Sequence, residues 1–451
     1  MPNLLIINPP DTPYNPKSFL IEPADIVTLV SCVRQRGFQA DFLDMDAERL
    51  TVADLHACAY DFVLIVCDYH IPLHKNATLK TLFSIAGFYR QKKAFVCICG
   101  KQATFKPETF IFPDSPFACA LLYEAEDTIC QLMEGRQNVP GTAFLDTNRC
   151  LKTLPLQQRP DLTRFPLPDY RRIKLENYID VRPLLSSRGC PNGCSFCHVP
   201  AFWGNWRAKT ARQVVDEIER LVVNTHAQKI IFLDDNALAS PSRMEEICRL
   251  ILNKKINVTL GCLGRVGNFS RNLAQLMYKA GFRWIHFGAE SGSDRLLHQI
   301  GKKQTAGQVA AAVSDARYAG FRVRTSWIID LPDAAEEDLQ QTFSLIKQTM
   351  PDEIRLHYLS VRLGTAISCQ QKEAAASQYI HNNRPVNHFT RMNDTEITDS
   401  VQAFLKELQN IGYLVLNGIE DYQKYRHIDW NDKNLKIVSL CPLRYGIGWT
   451  K

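Results

Sequence analysis

Three cysteines near the middle of the chain have the spacing of a metal-binding loop. Cys190 and Cys194 are separated by three residues, and Cys194 and Cys197 by two. Thiolates are the ligands that hold iron–sulfur clusters. Three of them leave one iron of a four-iron cluster open, and a metal with an open position can bind and activate another molecule. The loop therefore predicts a reactive cluster.

A structural zinc site is the alternative for the same loop. Zinc prefers four ligands in a closed site and usually takes them from two separated pairs of residues. His198 directly follows the third cysteine and is the nearest fourth ligand. Adjacent side chains seldom converge on one ion, so the spacing favours the cluster and leaves zinc as the second interpretation.

The loop resembles that of the radical S-adenosylmethionine (radical SAM) superfamily, because an aromatic residue, Phe196, stands directly before the third cysteine. The resemblance implies a [4Fe-4S] cluster whose open iron is chelated by SAM, with Phe196 near that cofactor. It implies reductive cleavage of SAM to a 5′-deoxyadenosyl radical or, in some branches, methyl donation by SAM. It also implies a small-molecule substrate and an electron donor such as flavodoxin or ferredoxin. In such enzymes the cofactor carries the radical chemistry, and the protein binds, orients and shields.

Polar residues near the ends of later strands are candidates for SAM binding. Gly288-Ala-Glu-Ser291 is similar to the Gly-Ile-Glu-Ser segment of the superfamily, which implies that Gly288, Glu290 and Ser291 lie along SAM. Arg265, Arg324 and Ser326 are further candidates, since a guanidinium matches the carboxylate of SAM. The alternative for Glu290 is that it caps the next helix, since Ser291-Gly-Ser-Asp294 is good capping chemistry. The alternative for the other candidates is a surface or interstrand ion pair.

A second polar segment, Asp234-Asp-Asn236, ends another predicted strand and resembles the Asp-Asp-Asn of family members. It is interpreted either as orienting the substrate or as capping the helix that follows.

The first third of the chain alternates strand and helix patterns. Five apolar strands within residues 1–135 predict a flavodoxin-like or Rossmann-like doubly wound parallel sheet. Ligands of such sheets bind beyond the carboxyl ends of the strands. Residues 136–180 are rich in Pro, Arg and Asp and predict a linker.

The middle of the chain repeats strand–helix units. Strands are predicted at 182–187, 229–234, 257–265, 284–291, 322–330 and 353–363. A complete barrel of this type has eight units. Six units within 181–365 predict a partial, TIM-like (β/α)6 barrel, which is also the fold that the resemblance implies. Residues 366–451 predict a small, mostly helical cap with one helix near 396–409, and this region is expected to set the substrate.

The order of sheet and barrel resembles the cobalamin-binding branch of radical SAM enzymes. The matching positions follow the first, fourth and fifth strands of the sheet, and the resemblance implies cobalamin contacts for Pro10, Gly100, Gln102, Thr104 and Glu124.

The resemblance to that branch has two departures. Family members have Gly-Glu-Gly-Glu where this chain has Tyr123-Glu-Ala-Glu126, and a tyrosine there would narrow the groove. Asp68-Tyr-His70 differs from the base-off cobalamin motif in its last residue, Leu73, and in its place after the third strand. His70 is therefore not interpreted as a cobalt ligand.

Composition limits the class of protein. The chain has 451 residues, 45% hydrophobic and 22% charged, with a net charge of +6 and no long basic run. These values fit a soluble globular protein and do not favour nucleic acid as a partner. No apolar run is long enough to span a bilayer. Fifteen scattered cysteines without a signal peptide predict a reducing cytoplasm.

These features predict cobalamin-dependent methyl transfer to an unactivated carbon of a small molecule or natural product. One alternative is cyclisation, rearrangement or oxidation by a radical SAM enzyme whose corrinoid domain is vestigial. Another, of a different class, is a non-catalytic metal-binding protein. Cys441 is interpreted as a buried structural cysteine, with a second functional thiol as the alternative. No motif names the substrate.

Overall fold

Each of the two units of the chain is built around its own sheet, in which most strands are parallel. The computed structural model describes residues 1–10, 20–55, 59–67, 76–171, 173–359, 361–369, 390–416, 432 and 434–441. The first unit is Met1–Ile179 with Ala201–Arg207, and the second is Asp180–Pro200 with Ala208–Lys451. Asp68, Tyr69, His70 and Leu73, which the sequence analysis compared with the base-off cobalamin motif, lie outside the described residues.

The first unit contains a seven-stranded sheet and four helices. Its strands are β1 (Asn3–Asn8), β2 (Gln39–Asp44), β3 (Phe62–Val66), β4 (Phe95–Cys99), β5 (Cys119–Leu121), β6 (Thr142–Leu145) and β7 (Leu151–Leu154). Its helices are α1 (Ala24–Gln35), α2 (Asn76–Gln91), α3 (Lys101–Phe105) and α4 (Glu126–Met133). The strand order is β2-β1-β3-β4-β5-β6-β7, and the first five are parallel. The predicted doubly wound sheet is therefore confirmed.

The end of this sheet comes from residues that the sequence analysis assigned to a linker. β6 pairs antiparallel with β5, and β7 pairs antiparallel with β6. β7 has the sequence Leu-Lys-Thr-Leu and lies largely exposed at the sheet edge. A short, polar edge strand lacks the continuous apolar run of the central strands, so it gave no strand signal.

The second unit contains an eight-stranded parallel sheet. The remaining strands of the chain are β8 (Arg182–Leu184), β9 (Ser187–Arg188), β10 (Arg207–Ala208), β11 (Lys229–Phe232), β12 (Thr259–Gly264), β13 (Phe282–Glu290), β14 (Arg322–Ile328), β15 (Glu353–His357), β16 (Tyr413–Leu416) and β17 (Lys436–Cys441). The order in the large sheet is β16-β17-β15-β14-β13-β12-β11-β8. All six predicted barrel strands are present. Five have bounds within three residues of the prediction, and the sixth ends at His357, six residues before its predicted end.

Helices follow most of these strands. They are α5 (Val199–Trp203), α6 (Ala211–Thr225), α7 (Pro241–Lys254), α8 (Arg271–Lys279), α9 (Asp294–Gln299), α10 (Ala306–Ala319), α11 (Glu336–Thr349), α12 (Ala366–Cys369) and α13 (Asp394–Asn410). Hydroxyl side chains cap several of them: Thr210 accepts from Gln213 N at 3.2 Å, and Thr305 accepts from Gln308 N at 3.2 Å. Each such cap stabilises its helix by about 1 kcal/mol.

The carboxy-terminal region contributes more sheet than the sequence analysis expected. The predicted helix near 396–409 is present as α13. Two strands that were not predicted, β16 and β17, extend the large sheet beyond β15 in parallel pairing. Cys441 is the last residue of β17, and its side chain lies outside the described residues.

The strands of the large sheet alternate between two kinds of side chain. In β13, Ile285 and Phe287 are fully buried, and in β14 Val323 and Trp327 are fully buried. The intervening positions, such as His286 and Ser326, are only half-buried. Successive side chains of a strand point to opposite faces. The apolar face therefore packs under the helices, and the polar face lines the inside of the partial barrel.

No helix in the described part of the chain is both long enough and apolar enough to cross a bilayer.

Candidate active site

The three cysteines lie on the loop that follows β8 and β9, at the carboxyl ends of the barrel strands. Cys194 is buried, and Cys190 and Cys197 are half-buried. The backbone ties this loop down: Ser195 N donates to Ile300 O at 2.9 Å, and Cys197 N donates to Cys194 O at 3.0 Å. The thiols are thus presented on one fixed loop at the face where β/α barrels carry their active sites.

Phe196 anchors the same loop. Its ring packs against a small buried cluster formed by Leu296, Ile300, Leu331 and Ala334. This contact accounts for an aromatic side chain between the second and third cysteines. Its predicted place beside SAM stays a prediction.

The segment after β11 holds the cysteine loop from the other side. Asp235 Oδ2 accepts from Gly189 N at 3.2 Å, and Asp234 Oδ1 accepts from Ser186 Oγ at 2.9 Å. Asn236 Nδ2 lies 3.9 Å from Cys190 Sγ. The next helix is capped by Ser240, so the capping interpretation of 234–236 is wrong. The segment instead positions the loop.

Arg265 brings a positive charge to the thiols. Its guanidinium donates to Cys194 Sγ at 3.1 Å, while its second terminal nitrogen, Nη2, is buried without a hydrogen-bond partner among the described residues. A buried guanidinium nitrogen without an acceptor is costly. Its position beside the cluster loop suits an acceptor that arrives with a ligand, such as the carboxylate of SAM.

The donor set fits a cluster. Burial raises the pKa of the Cys197 thiol to about 12, and metal ligation has to displace that proton because ligating thiols are thiolates. Among the described side chains, no group of three or more His, Cys, Asp and Glu lies close enough to hold a single metal ion. The distances between these side chains therefore exclude a site for one shared ion. The thiolates of a cubane bind different irons and are spread more widely.

Glu290 is fixed at the end of β13 by an ion pair. Its backbone is left-handed, with φ of +67°, next to an irregularity in the β13–β14 pairing between Gly288 and Glu290. Its Oε1 accepts from Lys302 Nζ at 2.7 Å, and both side chains are almost fully buried. Strained backbone at a non-glycine residue costs of order 1–3 kcal/mol and clusters at functional sites. The carboxylate is therefore held in one position at the barrel mouth.

Gly288 gives the ion pair its space. A Cβ at this position would lie 2.5 Å from Glu290 Oε1 and 3.0 Å from Lys302 Nζ. The Glu290–Lys302 ion pair by itself therefore requires a residue without a side chain at position 288. The predicted close approach of SAM to Gly288 stays a prediction.

Ser291 lies deeper than the sequence analysis expected. It is 1% exposed, its hydroxyl accepts from Ser293 N at 3.1 Å, and it lies 3.3 Å from Thr342 Oγ1. Ser293 caps α9, so the predicted capping chemistry of Ser291-Gly-Ser-Asp294 is present, whereas capping by Glu290 is wrong. The Ser291 hydroxyl therefore has partners within the fold, and Glu290 is the more accessible of the two predicted ligands.

Two residues of this site were missed by the sequence analysis. Besides Lys302, Gln304 Nε2 donates to Gly288 O at 3.2 Å and to Ala289 O at 3.0 Å, which ties down the end of β13. Both residues lie between α9 and α10, where no periodic pattern marks them. The one signal in the sequence for Lys302 was that a buried Glu290 needs a cation nearby.

Ser326, on β14, lies beside a histidine that was also not predicted. His286 Nε2 and Ser326 Oγ are 2.6 Å apart. Burial, and then the charges of Arg324 and Arg355, hold the pKa of His286 well below its usual range. The imidazole is therefore neutral at physiological pH.

In the first unit, Gly100 and Thr104 form a tight turn after β4. Gly100 has φ of +128°, and a Cβ there would lie 1.4 Å from Cys67 O, so only glycine fits. Thr104 Oγ1 donates to Gly100 O at 2.7 Å and accepts from Tyr123 N at 2.8 Å. Gln102 is half-buried in α3 between them, and Pro10 is buried after β1.

The Tyr123–Glu124 segment follows β5. Tyr123 has a left-handed backbone, with φ of +64°, which matches a position where family members have glycine. Its ring is covered by the Arg159 guanidinium at 3.9 Å. Glu124 is buried and accepts from Arg207 at 2.6 Å. The backbone at Tyr123 thus has the conformation of a glycine turn, whereas the side chains of Tyr123 and Arg159 occupy the space beside that turn.

Residues 184–346 match the radical SAM superfamily. The chain contains a radical SAM domain. Such a domain implies a [4Fe-4S] cluster and SAM, so these two predicted cofactors are confirmed.

Relatives have several activities. The chain is 26% identical to an uncharacterised methyltransferase of Pyrococcus horikoshii over 337 residues, which are 72% of this chain and 73% of that protein. It is 29% identical to an anaerobic magnesium-protoporphyrin IX monomethyl ester cyclase of Cereibacter sphaeroides over 51% of this chain, but it spans only 38% of that cyclase.

Two solved structures share the architecture. One is the radical SAM methyltransferase TsrM of Kitasatospora setae with cobalamin and a [4Fe-4S] cluster bound, with a TM-score of 0.68, 18% identity, and coverage of 84% of this chain and 79% of that one. The other is the cobalamin-dependent SAM radical enzyme OxsB with aqua-cobalamin bound, with a TM-score of 0.68, 17% identity, and coverage of 91% of this chain and 62% of that one. At these identities the likeness is one of fold, and it confirms the predicted fold class.

Proposed function

We propose that this radical SAM enzyme transfers a methyl group to an unactivated carbon of a small-molecule substrate or natural product and uses cobalamin as a third cofactor. One observation carries the proposal. The fold likeness to TsrM extends over 84% of the chain, so it includes the doubly wound sheet as well as the radical SAM domain. A methyltransferase is also among the relatives that align over most of their length.

The chain's own residues have separate tasks in this proposal. Cys190, Cys194 and Cys197 hold the cluster, and Arg265 receives the carboxylate of SAM. Glu290, positioned by Lys302, accepts a hydrogen bond from the amino group or the ribose of SAM. When bound, the cofactors supply the radical and the methyl group.

The cobalamin contacts are proposed for the turns after β1, β4 and β5, which carry Pro10, Gly100, Gln102, Thr104 and Glu124. Ligands of doubly wound sheets bind at this edge. The glycine-like backbones at Gly100 and Tyr123 support the proposal.

A second candidate function is radical chemistry on the substrate without methyl transfer. This candidate is cyclisation, rearrangement or oxidation with a vestigial corrinoid domain. It is favoured by one observation, namely that the Arg159 guanidinium lies 3.9 Å from the centre of the Tyr123 ring in the proposed corrinoid groove. A magnesium-protoporphyrin ester cyclase is among the relatives.

Corrinoid binding separates the two candidates. The protein is reconstituted anaerobically with iron, sulfide and hydroxocobalamin, and cobalt per chain is measured together with the visible spectrum. The first candidate predicts about one cobalt per chain in the wild type. If the wild type takes up none while Tyr123→Gly does, the methyl transfer proposal is wrong and the second candidate stands. Tyr318→Gly, at an exposed position in the other unit, is the control for loss of a tyrosine.

A non-catalytic metal-binding protein is the remaining alternative. It predicts no 5′-deoxyadenosine when the reconstituted protein is mixed with SAM and a reductant, whereas both enzymatic candidates predict this product. We also propose reduced flavodoxin or ferredoxin as electron donor and the cytoplasm as the location. None of the twelve cysteines whose side chains the structure describes forms a disulfide, which supports a reducing compartment.

A further inference from the structure

Three side-chain N–H groups face the sulfurs of the cysteine loop. Asn192 Nδ2 lies 3.4 Å from Cys190 Sγ, and Asn236 Nδ2 lies 3.9 Å from the same sulfur. Arg265 Nη1 donates to Cys194 Sγ at 3.1 Å. Sulfur is a larger and weaker acceptor than oxygen, so N–H···S contacts are longer than N–H···O contacts. Two of the three thiols therefore have donors from side chains.

Asn236 is fixed with its amide nitrogen toward the loop. It lies on the turn after β11 and is fully buried. Its Oδ1 accepts from Arg265 N at 3.3 Å, which leaves Nδ2 as the end of the amide that faces Cys190. Arg265, which follows β12, thus holds Asn236 through its backbone and reaches Cys194 through its guanidinium. The ends of two paired strands therefore converge on two of the sulfurs.

The third sulfur has a donor from the backbone. The main-chain N–H of Val199 hydrogen-bonds the Cys197 thiol. Ligating thiols are thiolates, and hydrogen bonds to an ionised acceptor are roughly twice as strong as neutral ones. The amides, the guanidinium and the backbone N–H around the loop therefore stabilise these sulfurs most when the sulfurs carry negative charge, as they do in a cluster.

Reduction of a cluster adds negative charge to it and to its thiolates. Positive charge and hydrogen bonds at the sulfurs stabilise the reduced form, so both raise the reduction potential. We propose that Asn192, Asn236 and Arg265 raise the reduction potential of the cluster and so ease its reduction. One electron leaves the reduced protein donor and enters the cluster. This inference rests on the proposed function, because it places the cluster on the three cysteines, but it does not depend on the reaction that follows.

A purely structural role for the same contacts makes a different prediction. Contacts that only hold the cysteine loop would affect iron retention and stability, and they would leave the potential of the assembled cluster unchanged. The midpoint potential of protein that carries a full cluster is therefore the measurement that separates the two roles.

The experiment uses the full chain, reconstituted anaerobically and free of SAM, so that altered SAM binding does not enter the measurement. The protein is titrated with dithionite in the presence of redox mediators, and the EPR signal of the cluster gives its midpoint potential. Arg265→Gln is expected to lower the equilibrium constant for reduction about tenfold, which is about 59 mV for one electron. Arg265→Lys keeps the positive charge and is expected to recover part of that loss.

The two amides are tested in the same way. Asn192→Ala, at a half-buried loop position, and Asn236→Leu, of similar size, each remove one donor. Each is expected to lower the midpoint potential by less than Arg265→Gln does, because an amide carries no charge. Arg220→Gln and Asn253→Ala, at exposed positions on α6 and α7, are the matched controls and are expected to have the wild-type potential.

Two results would overturn the inference. One is a wild-type midpoint potential in Arg265→Gln, Asn192→Ala and Asn236→Leu proteins that retain their iron, which would leave the contacts a structural role. The other is a potential that rises in these variants. If Asn236→Leu loses its iron, the other two variants carry the test. A wild type without a cubane signal would instead contradict the proposed function itself, so the two failures are distinguishable.

Discussion

Lys302 Nζ donates to Glu290 Oε1 at 2.7 Å, and this contact joins the loop before α10 to the end of β13. The side chains of Lys302 and Glu290 are 6% and 12% exposed. The lysine thus fixes the carboxylate that is the proposed SAM ligand.

Lys302→Met is predicted to weaken SAM binding about tenfold and to leave cluster assembly unchanged, because Glu290 keeps its charge but loses its partner. A buried charge that loses its partner costs about 3–5 kcal/mol, so the thermal midpoint is also expected to fall. SAM affinity is measured by titration of the reconstituted protein. Lys303→Met, at the exposed neighbouring position, is the control. Unaltered SAM affinity in Lys302→Met would contradict the positioning role.

Gly288→Ala is predicted to weaken SAM binding and lower stability, because the added Cβ would lie 2.5 Å from Glu290 Oε1. Gly307→Ala is the control, since the nearest atom to its Cβ is Thr305 Oγ1 at 3.8 Å and it lies inside helix α10. That variant is expected to gain up to about 1 kcal/mol from helix propensity. If Gly288→Ala behaved like Gly307→Ala in both assays, the tight packing around Glu290 would be wrong.

Stability is predicted to depend on His357 in acid. Burial, and then the charges of Arg355 and Arg362, lower its pKa to about 3 in the folded protein against 6.5 in the unfolded chain, so the unfolded state binds more protons between these values. Stability is therefore fully present above pH 6.5 and falls as the pH drops toward 3, by at most about 1.4 kcal/mol per pH unit for this group. Urea midpoints from pH 7.5 to 5.5 are predicted to fall more steeply in the wild type than in His357→Gln. Equal pH dependence of the urea midpoints in the two proteins would mean that folding does not lower the pKa of His357.

Cys194→Ala is predicted to lose most of the bound iron, because Cys194 is a buried member of the three-thiol loop. Cys150→Ala removes an exposed thiol elsewhere and is predicted to retain the iron. Iron and sulfide are assayed after anaerobic reconstitution. Equal iron in the two variants would rule out the loop as the cluster site.

The parts of the fold that were predicted from sequence are those whose signal is local. β1 and β3 are continuous apolar runs because both faces of the sheet are covered, and such runs are read directly from the sequence. β7 and β16 lie at sheet edges, where the described residues provide no neighbouring strand on one side and the apolar run is short. Their place depends on pairing with distant residues.

The residues of the candidate site also divide into those that a local motif predicts and those that depend on distant contacts. The cysteine loop is a short contiguous motif, so its residues and its chemistry were predicted together. Lys302 and His286 were not predicted, because their roles come from contacts between separate elements: Lys302 with Glu290 at the end of β13, and His286 with Ser326 on β14. The requirement for glycine at position 100 follows from its approach to Cys67 O, another contact that spacing alone does not encode.

The central claim is that Cys190, Cys194 and Cys197 hold a [4Fe-4S] cluster with one iron open to SAM. The most direct measurement is the EPR spectrum of the anaerobically reconstituted, dithionite-reduced protein before and after addition of SAM. The account predicts about four irons per chain and a cubane signal whose g-values shift when SAM binds. A protein with no cubane signal, or with a signal that SAM leaves unchanged, would contradict it.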